Sequence, residues 1–481
     1  MSPVPQDRRR RRNTGAARPH GRAAEESRGP RARRPAAPAL ADLPGLLPRA
    51  AAALALRRVE RDRAYVTRAL EDAWRESGGE ATADRAAATE LALGAWRWRG
   101  ILDARLDPLL PRGLASLDDL TRQVLRVAAY ELLGPHPTAA HGAVHVAVEA
   151  ATRLRSAALG GLANAVLRRL ARTAAESAGR GSHDDRAALA LPPWLRERFA
   201  DAWGTPTANA LAGWSLAAPG RSVRLNGNRT SPGEALAAFP GSTPSPYSPR
   251  ILRLPAGAGD LREHPCVAAG RATVQEEGAA LCADSLPLPP AGRVLDACAG
   301  RGTKTTALAE RAPAGTRLWA ADVNPDKLAR LGPEMTRLGL PAVETVAVDW
   351  SVGTAGLTGP FDAVLVDAPC SGTGTLSRRP EIRWRLEPVD VARLAQLQAA
   401  ILARTAACLA VEGCLLYVVC SLLPEEGPRQ VEALLAASPD LALADQAFAA
   451  PPWRPLAHGA VLLPPESGTD GFFAALVRRR R

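Results

Sequence analysis

Lysine is nearly missing from this chain. Only Lys304 and Lys327 occur in 481 residues, so a net charge of +12 rests almost wholly on arginine. Arginine's rigid fork suits phosphate, and heavy arginine and alanine use is also a plain compositional bias. Cysteine is sparse. Seven are scattered from Cys266 to Cys420, none in a CxxC pair. That odd set excludes a disulfide scaffold and a zinc site of ordinary spacing, and it fits a reducing cytoplasm. Long hydrophobic runs are missing too. No stretch of about 18 apolar residues free of charge occurs, which excludes a membrane-spanning helix. No signal peptide is read, and the arginine-rich start holds too much Pro and Gly for an amphipathic transit helix.

What is present falls into segments, and the length suggests about three domains. Residues 1–48, with the arginine run Arg8–Arg12, read as a disordered basic tail, either a phosphate-contacting arm or a solvated extension. Residues 49–172 carry apolar and alanine positions at helical spacing through 49–76, 83–101, 118–133, 138–152 and 156–171. Pro108, Pro111, Pro135 and Pro137 mark turns, so the segment reads as a helical bundle. Trp96 and Trp98 lie two apart and face different sides of their helix, one toward the core and one toward a neighbour. Residues 173–190 read as a linker and 191–288 as a small α/β module. In that module RSVRLNGNR, 221–229, is a strand ending in an Asn-Gly turn, and SPGEALAAF, 231–239, is a helix capped by Ser231. Residues 272–286 read as helix.

Residues 289–481 form the large domain. Its centre is RVLDACAGRGTKTTALAE, 293–310: a short strand ending at Asp296, a turn rich in small residues, then a helix. This is the opening strand, turn and helix of a doubly wound α/β domain. Small residues let a ligand approach the backbone, and the helix start offers free N–H groups. Later strands end at Asp322, Asp349, Asp367 and Cys420, and Val461–Leu463 with Gly471–Val477 reads as a closing hairpin. All five strand ends then stand at the carboxyl edge of the sheet, where ligands bind in such folds. Asp322 has the spacing of an acid that holds ribose hydroxyls.

The chemistry is concentrated in VLVDAPCSGTG, 364–374, and YVVCSLLPEE, 417–426, which put Cys370 and Cys420 beyond adjacent strands. Two thiols without zinc spacing suggest covalent or redox catalysis, and burial as two small hydrophobes is the alternative. Cys298, Cys408 and Cys414 take the structural reading. His141 and His145 share a helix face without a third ligand, so no metal site is read.

Residues 293–305, 361–385 and 417–426 resemble the NOL1/NOP2/Sun family of RNA cytosine-C5 methyltransferases. The helical segment resembles a NusB-like RNA-binding domain through LALGAWRWRGILDARL, LRVAAYELL and GLANAVLRRL, at 91–106, 125–133 and 161–170. The resemblance implies a Rossmann-like methyltransferase domain behind an all-helical domain and a small α/β module. It implies methyl transfer from S-adenosyl-L-methionine to C5 of a cytosine in small-subunit rRNA, free or partly assembled, by a cytoplasmic monomer. Within that family's pattern Cys420 attacks the base, Cys370 helps release the product and Asp367 holds the cytosine. Ala297, Cys298, Ala299, Gly300, Arg301, Gly302, Thr303 and Lys304 wrap the methionine part of the cofactor, Asp322 binds its ribose, Asp349 lies by its adenine, and Asp367 borders the same pocket. Arg301 stands where the family usually has proline, which implies altered cofactor binding. Arginines beside an aromatic in SRRPEIRW, 377–384, suggest that Arg379, Arg383 and Trp384 touch RNA. Two alternatives stay open: an rRNA-binding or assembly factor with a vestigial catalytic half, and methylation of another nucleic acid.

Overall fold

A computed structural model describes residues 43–79, 82–176, 183–444 and 448–480; the expected basic tail lies outside these residues up to position 42. Alanine and leucine at helical spacing build the first domain from α1 (Leu46–Asp62), α2 (Val66–Glu76), α3 (Thr82–Arg97), α4 (Arg99–Leu106), α5 (Asp119–Leu133), α6 (Ala140–Leu154) and α7 (Ala157–Glu176). Asp118 starts α5 by accepting from the N–H groups of Leu120 and Thr121, which satisfies donors that a helix start leaves free. The single helix expected over 49–76 is broken at Arg63, whose φ of 53° no helix tolerates. Both tryptophans are buried in the helical core, so the expected division between core and neighbour does not hold. Trp96 lies in the helical core, and Trp98 packs edge-on against Tyr130 and donates to Leu216 O across to the next unit.

The stretch read as a linker is largely helical. α7 continues to Glu176, and α8 (His183–Ala190) buries Ala187 and Ala190 against α9 (Pro193–Trp203) and α10 (Thr205–Leu216). Alanine-rich text looks like linker by composition, yet it packs tightly where a neighbouring apolar face exists. The small module follows with β1 (Arg221–Leu225), α11 (Pro232–Ala238), β2 (Thr243–Pro244), β3 (Ile251–Leu254), α12 (Pro265–Ala268), β4 (Ala272–Val274) and α13 (Glu277–Asp284). Ser231 and Glu234 close a reciprocal capping box at α11. The expected helix over 272–286 begins instead as a strand, because β4 pairs with β1 through Val223 and Val274. The module is bolted onto the large domain by Arg224. Its buried guanidinium reaches both Glu310 oxygens at 2.8 and 2.9 Å and Thr306 Oγ1 at 3.0 Å.

The large domain runs β5 (Gly292–Asp296), α14 (Thr303–Arg311), β6 (Thr316–Asp322), α15 (Pro325–Leu328), α16 (Leu331–Leu338), β7 (Glu344–Ala347), β8 (Phe361–Asp367), α17 (Ile382–Arg385), α18 (Pro388–Ala407) and β9 (Leu409–Val419). It then adds α19 (Pro428–Ala437), β10 (Leu441–Leu443), β11 (Arg454–Leu456), β12 (Gly459–Leu462), α20 (Pro464–Ser467) and β13 (Phe472–Arg479). The nine-stranded sheet has the order β11-β12-β13-β9-β8-β5-β6-β7, with β10 joined to β13. The pairs β5–β6, β6–β7, β5–β8 and β8–β9 are parallel, and β13 returns antiparallel to β9. Strand order reverses at β5, so the crevice between β5 and β8 is where such a sheet binds ligands. Runs such as Ala363–Val366 and Leu415–Val419 are buried throughout, as strands covered on both faces must be.

The helical domain and the large domain meet over α17, and here one expectation is corrected. Arg383 does not face RNA; its side chain is fully buried. The guanidinium donates to Arg97 O at 3.2 Å, Ala190 O at 2.9 Å, Ser215 O at 2.7 Å and Leu376 O at 2.8 Å. Burial, with Arg97 nearby, lowers its pKa to about 9. Arg97 answers by donating from Nε to Ser377 O at 2.7 Å. Trp384 is half-buried against the helical core and donates to Trp96 O at 3.3 Å, so its ring also serves the interface. Arg379 alone of the three is exposed.

Replacing Arg383 by Met strands four carbonyls in the interior. We expect Arg383→Met to cost about 3–5 kcal/mol in chemical denaturation. An unaltered denaturation midpoint would show that the junction does not need the guanidinium.

Candidate active site

The site begins at the turn after β5. Ala297 N–H donates to Leu365 O and Ala299 N–H to Ala321 O, both at 2.8 Å, so the turn is stitched to strands on either side. Gly300 and Gly302 adopt φ of 57° and 86°, the left-handed region that glycine enters without strain. A side chain at Gly302 would meet Leu331 Cδ1 at 2.2 Å, whereas one at Gly300 would meet nothing within 4 Å. Open space therefore lies beside Gly300. Arg301 and Thr303 are exposed at the turn, and Cys298 is half-buried, with burial and the neighbouring carboxylates pushing its thiol up.

Asp296, Asp322 and Asp367 end their strands, whereas Asp349 lies two residues past β7, and the four have different partners. Asp296 is wholly buried and accepts from Thr305 Oγ1 at 2.6 Å, while its Oδ1 has no partner. Burial raises its pKa to about 7. Asp322 holds the glycine turn by accepting Gly300 N–H at 2.9 Å, and its other oxygen accepts Asn324 N–H at 2.9 Å. A carboxylate oxygen keeps further acceptor capacity after one such bond. Val323, next in the chain, is 63% exposed, an apolar surface at the edge of the same cleft. Asp349 is exposed and bonded to Ser351, which holds its carboxyl below the ordinary range. Asp367 meets the one buried lysine: Lys304 Nζ donates to its Oδ2 at 2.7 Å. Burial opposes the Lys304 charge, yet the Asp367 carboxylate holds its pKa above the usual lysine value.

The two thiols converge. Parallel pairing of β8 and β9 sets Asp367 opposite Val418, so the loops that follow leave the sheet side by side. Cys370 Sγ and Cys420 Sγ are 3.3 Å apart, and both side chains are half-buried. The hydrogen-bonded contact with Cys370 takes Cys420 below the ordinary thiol value; burial and Asp367 oppose this, while Arg379 and Lys304 favour it. Cys370 is raised, by that same hydrogen bond, by burial and by the charges of Cys420 and Glu426. Cys408 and Cys414 are buried in the core, as expected for structural thiols.

Three contributors were missed. Glu426, inside the quoted CSLLPEE segment, is fully buried beneath both cysteine loops. Phe472 of β13 brings its ring within 5.4 Å of Lys304 Nζ. Glu276, from the small module, caps α13 and accepts from Asp470 N–H, and burial with the Asp470 charge raises its pKa to about 7. Only Glu426 had a local signal, a paired acid two residues past a proline. Among the described residues no group of three or more His, Cys, Asp or Glu side chains is placed to hold a metal ion.

A parallel sheet with a glycine turn and acids at its carboxyl edge, behind a helical bundle, defines a Rossmann-like methyltransferase with a NusB-type domain in front. The family model for 16S rRNA methyltransferase RsmB/F matches residues 285–478, and that for the NusB family matches residues 47–172. Ribosomal RNA small subunit methyltransferase B of Pseudomonas putida is 35% identical over 397 residues, 82% of this chain and 90% of that one. A Mycobacterium tuberculosis protein provisionally named a methyltransferase is 37% identical over 94% of this chain and 99% of its own. Among solved structures, PH0851 superposes with a TM-score of 0.74 at 23% identity, covering 90% of this chain and 99% of its own. NSun6 from Pyrococcus horikoshii, solved with SFG, superposes with a TM-score of 0.53 at 18% identity, covering 60% of this chain and 98% of its own. The chain belongs to the family of ribosomal RNA small subunit methyltransferase B.

The buried acids predict a pH dependence. Asp296 has its pKa raised from 3.8 to about 7 on folding, so the folded chain binds that proton more tightly than the unfolded chain. Its stabilising contribution is complete below about pH 4 and is lost as pH rises through about 7, and Glu276 acts in the same direction. We expect Asp296→Asn, which keeps an acceptor for Thr305, to shrink the fall in Tm between about pH 5 and pH 8 by several degrees. An identical Tm profile in wild type and variant would show that Asp296 is ionised throughout.

Proposed function

We propose that this chain transfers a methyl group from S-adenosyl-L-methionine to C5 of a cytosine in small-subunit rRNA, through a covalent bond between Cys420 and C6 of the base. The observation that carries this reading is the sulfur pair at 3.3 Å beside the Lys304–Asp367 ion pair. C5 of cytosine is a weak nucleophile. Addition of a thiolate at C6 moves electron density onto C5, which is covalent catalysis. The hydrogen bond from Cys370, with Arg379 and Lys304 nearby, favours the thiolate at Cys420. Asp367 is assigned to the N3 and N4 edge of the base, where a hydrogen-bonded acid steadies the charge that develops.

Residues Ala297–Lys304 and Asp322 are assigned to the cofactor. The open space beside Gly300, the acceptor capacity of Asp322 and the exposed apolar Val323 fit a ligand with a small polar end, vicinal hydroxyls and a flat ring. Asp349 is assigned to the ring's far side. When bound, the group supplies an electrophilic methyl on a sulfonium. Ala297–Lys304 and Asp322 would hold that group, and Cys420 would make C5 nucleophilic enough to take the methyl, with the carbon–sulfonium bond as the one broken. A base then removes the C5 proton, the Cys420–C6 bond breaks, and the aromatic pyrimidine is restored. Cys370, in contact with the attacking sulfur, is assigned to this release step. The target base must leave its stack to be reached, which single-stranded or loop RNA allows at little cost.

Arg379 is assigned to the RNA backbone, being exposed and close enough to influence Cys420. Arg379→Ala should lower RNA affinity and reduce the slope of log affinity against log salt by about 1. An unaltered slope would return Arg379 to a solvated role.

The cysteines give the sharpest test. Cys420→Ala should abolish both methyl transfer and any covalent RNA adduct. Cys370→Ala should attack, transfer one methyl and stall as a protein–RNA adduct that survives a denaturing gel. Adduct trapping in Cys420→Ala and none in Cys370→Ala would reverse the two roles. Full turnover in both variants, measured as labelled methyl incorporated into 16S rRNA, would defeat the covalent reading.

A further inference from the structure

Glu426 is a carboxylate with no exposed surface, and no described Lys or Arg forms a salt bridge with it. A lone buried anion is costly unless donors surround it. Its donors come from the loops that carry the thiols. On the Cys370 side, Oε1 accepts Ser371 N–H at 2.8 Å, and Oε2 accepts the Ser371 hydroxyl. On the Cys420 side, Oε2 accepts Ser421 Oγ at 2.6 Å. Gln398 Nε2 donates both to Glu426 Oε1 at 3.1 Å and to Pro369 O at 2.9 Å, so the residues on both sides of Cys370 are tied to this one group. Tyr417 OH donates to Glu426 O at 2.6 Å and fixes the backbone that presents it. Ser371, Gln398, Ser421 and Tyr417 are all buried. The arrangement is a strap between two catalytic loops, built around a negative charge where a neutral amide would have to turn an N–H group toward donors.

We propose that Glu426 is a positioning residue that, by bonding Ser371 beside Cys370 and Ser421 beside Cys420, sets the spacing of the two thiols and so maintains the sulfur–sulfur contact through which Cys420 carries the negative charge of the pair. The charged and titratable groups that act on the pair are Glu426, the Tyr417 hydroxyl, Asp367, Arg379 and Lys304. Asp367 opposes a charge on Cys420, while Arg379 and Lys304 favour it. Two sulfurs in contact share one proton between them, so one can carry the charge while the other keeps its hydrogen. That contact is held by a group that touches no reactant. Its consequence for turnover rests on the proposed reaction, whereas its effect on the thiols does not.

The test uses the full chain without RNA. Iodoacetamide labelling across pH, read peptide by peptide by mass spectrometry, gives the rate at each cysteine. In the wild type Cys420 should react faster, with a lower midpoint than Cys370. In Glu426→Gln, shown to be folded by its circular dichroism and melting curve, the preference for Cys420 should shrink by about tenfold, the equivalent of one pKa unit. Glu426→Asp, which keeps the charge, should keep the preference while lowering methyl transfer through kcat rather than KM. A folded Glu426→Gln chain with the wild-type preference overturns the proposal. So does a wild-type chain in which Cys370 is the more reactive thiol, a result that needs no variant to fold. A wild type with the expected preference, lost in Glu426→Gln, that methylates no RNA would defeat the proposed reaction and leave the assignment of Glu426 standing.

Discussion

Everything at the site depends on the parallel pairing of β8 with β9. Two neighbouring strands in register, with Asp367 opposite Val418, end at the same edge of the sheet. Three residues beyond Asp367 and two beyond Val418, the chain carries thiols, and those thiols come within 3.3 Å. A shift of one residue would turn the strands' side chains to the opposite face of the sheet. The register is held by the buried apolar runs on both strands and by β13, which covers the far side of β9 from Phe473 to Arg478.

Around that pairing the molecule uses buried charge at each place where two units must keep one relative position. Arg224 ties the small module to α14, Arg383 ties the helical domain to the loop after Cys370, and Glu426 ties the two cysteine loops together. Buried ionic groups add little net stability compared with apolar packing, because desolvation offsets their attraction. Their geometry is less forgiving than that of apolar contacts. Each guanidinium or carboxylate here is met from several directions, and a displaced partner would leave an unpaired group in the interior. The loop from 370 to 379 is thereby gripped from below by Glu426 and from its far end by Arg383 and Arg97. The helical domain reaches this loop through the Arg97 side chain, which donates to Ser377 O.

Much of this was legible in the residues. Helical periodicity located the front domain, the small-residue turn located the first strand and helix of the sheet, and the strand-end acids located its carboxyl edge. Misreadings arose where tertiary contact overrides local pattern. Alanine-rich 183–190 looks like linker until α9 and α10 offer it an apolar face. Residues 272–274 look helical until β1 offers them a ladder. Arg383 looks like a phosphate contact because arginine beside tryptophan reads the same on a surface and in an interface.

The sequence by itself determined which residues are available: two thiols and an aspartate just past strands, a lysine at a helix start, and a glycine turn between strand and helix. Those properties are local, since they follow from residue type and from short-range backbone preference. How close the two thiols stand, which arginine meets solvent, and which acid is bonded to both cysteine loops were decided by the tertiary structure. Each depends on the groups that lie within a few ångströms across the fold, such as Glu426 beneath Ser371 and Ser421, or four carbonyls around Arg383. Burial and charge act through space, and no spacing along a chain encodes them.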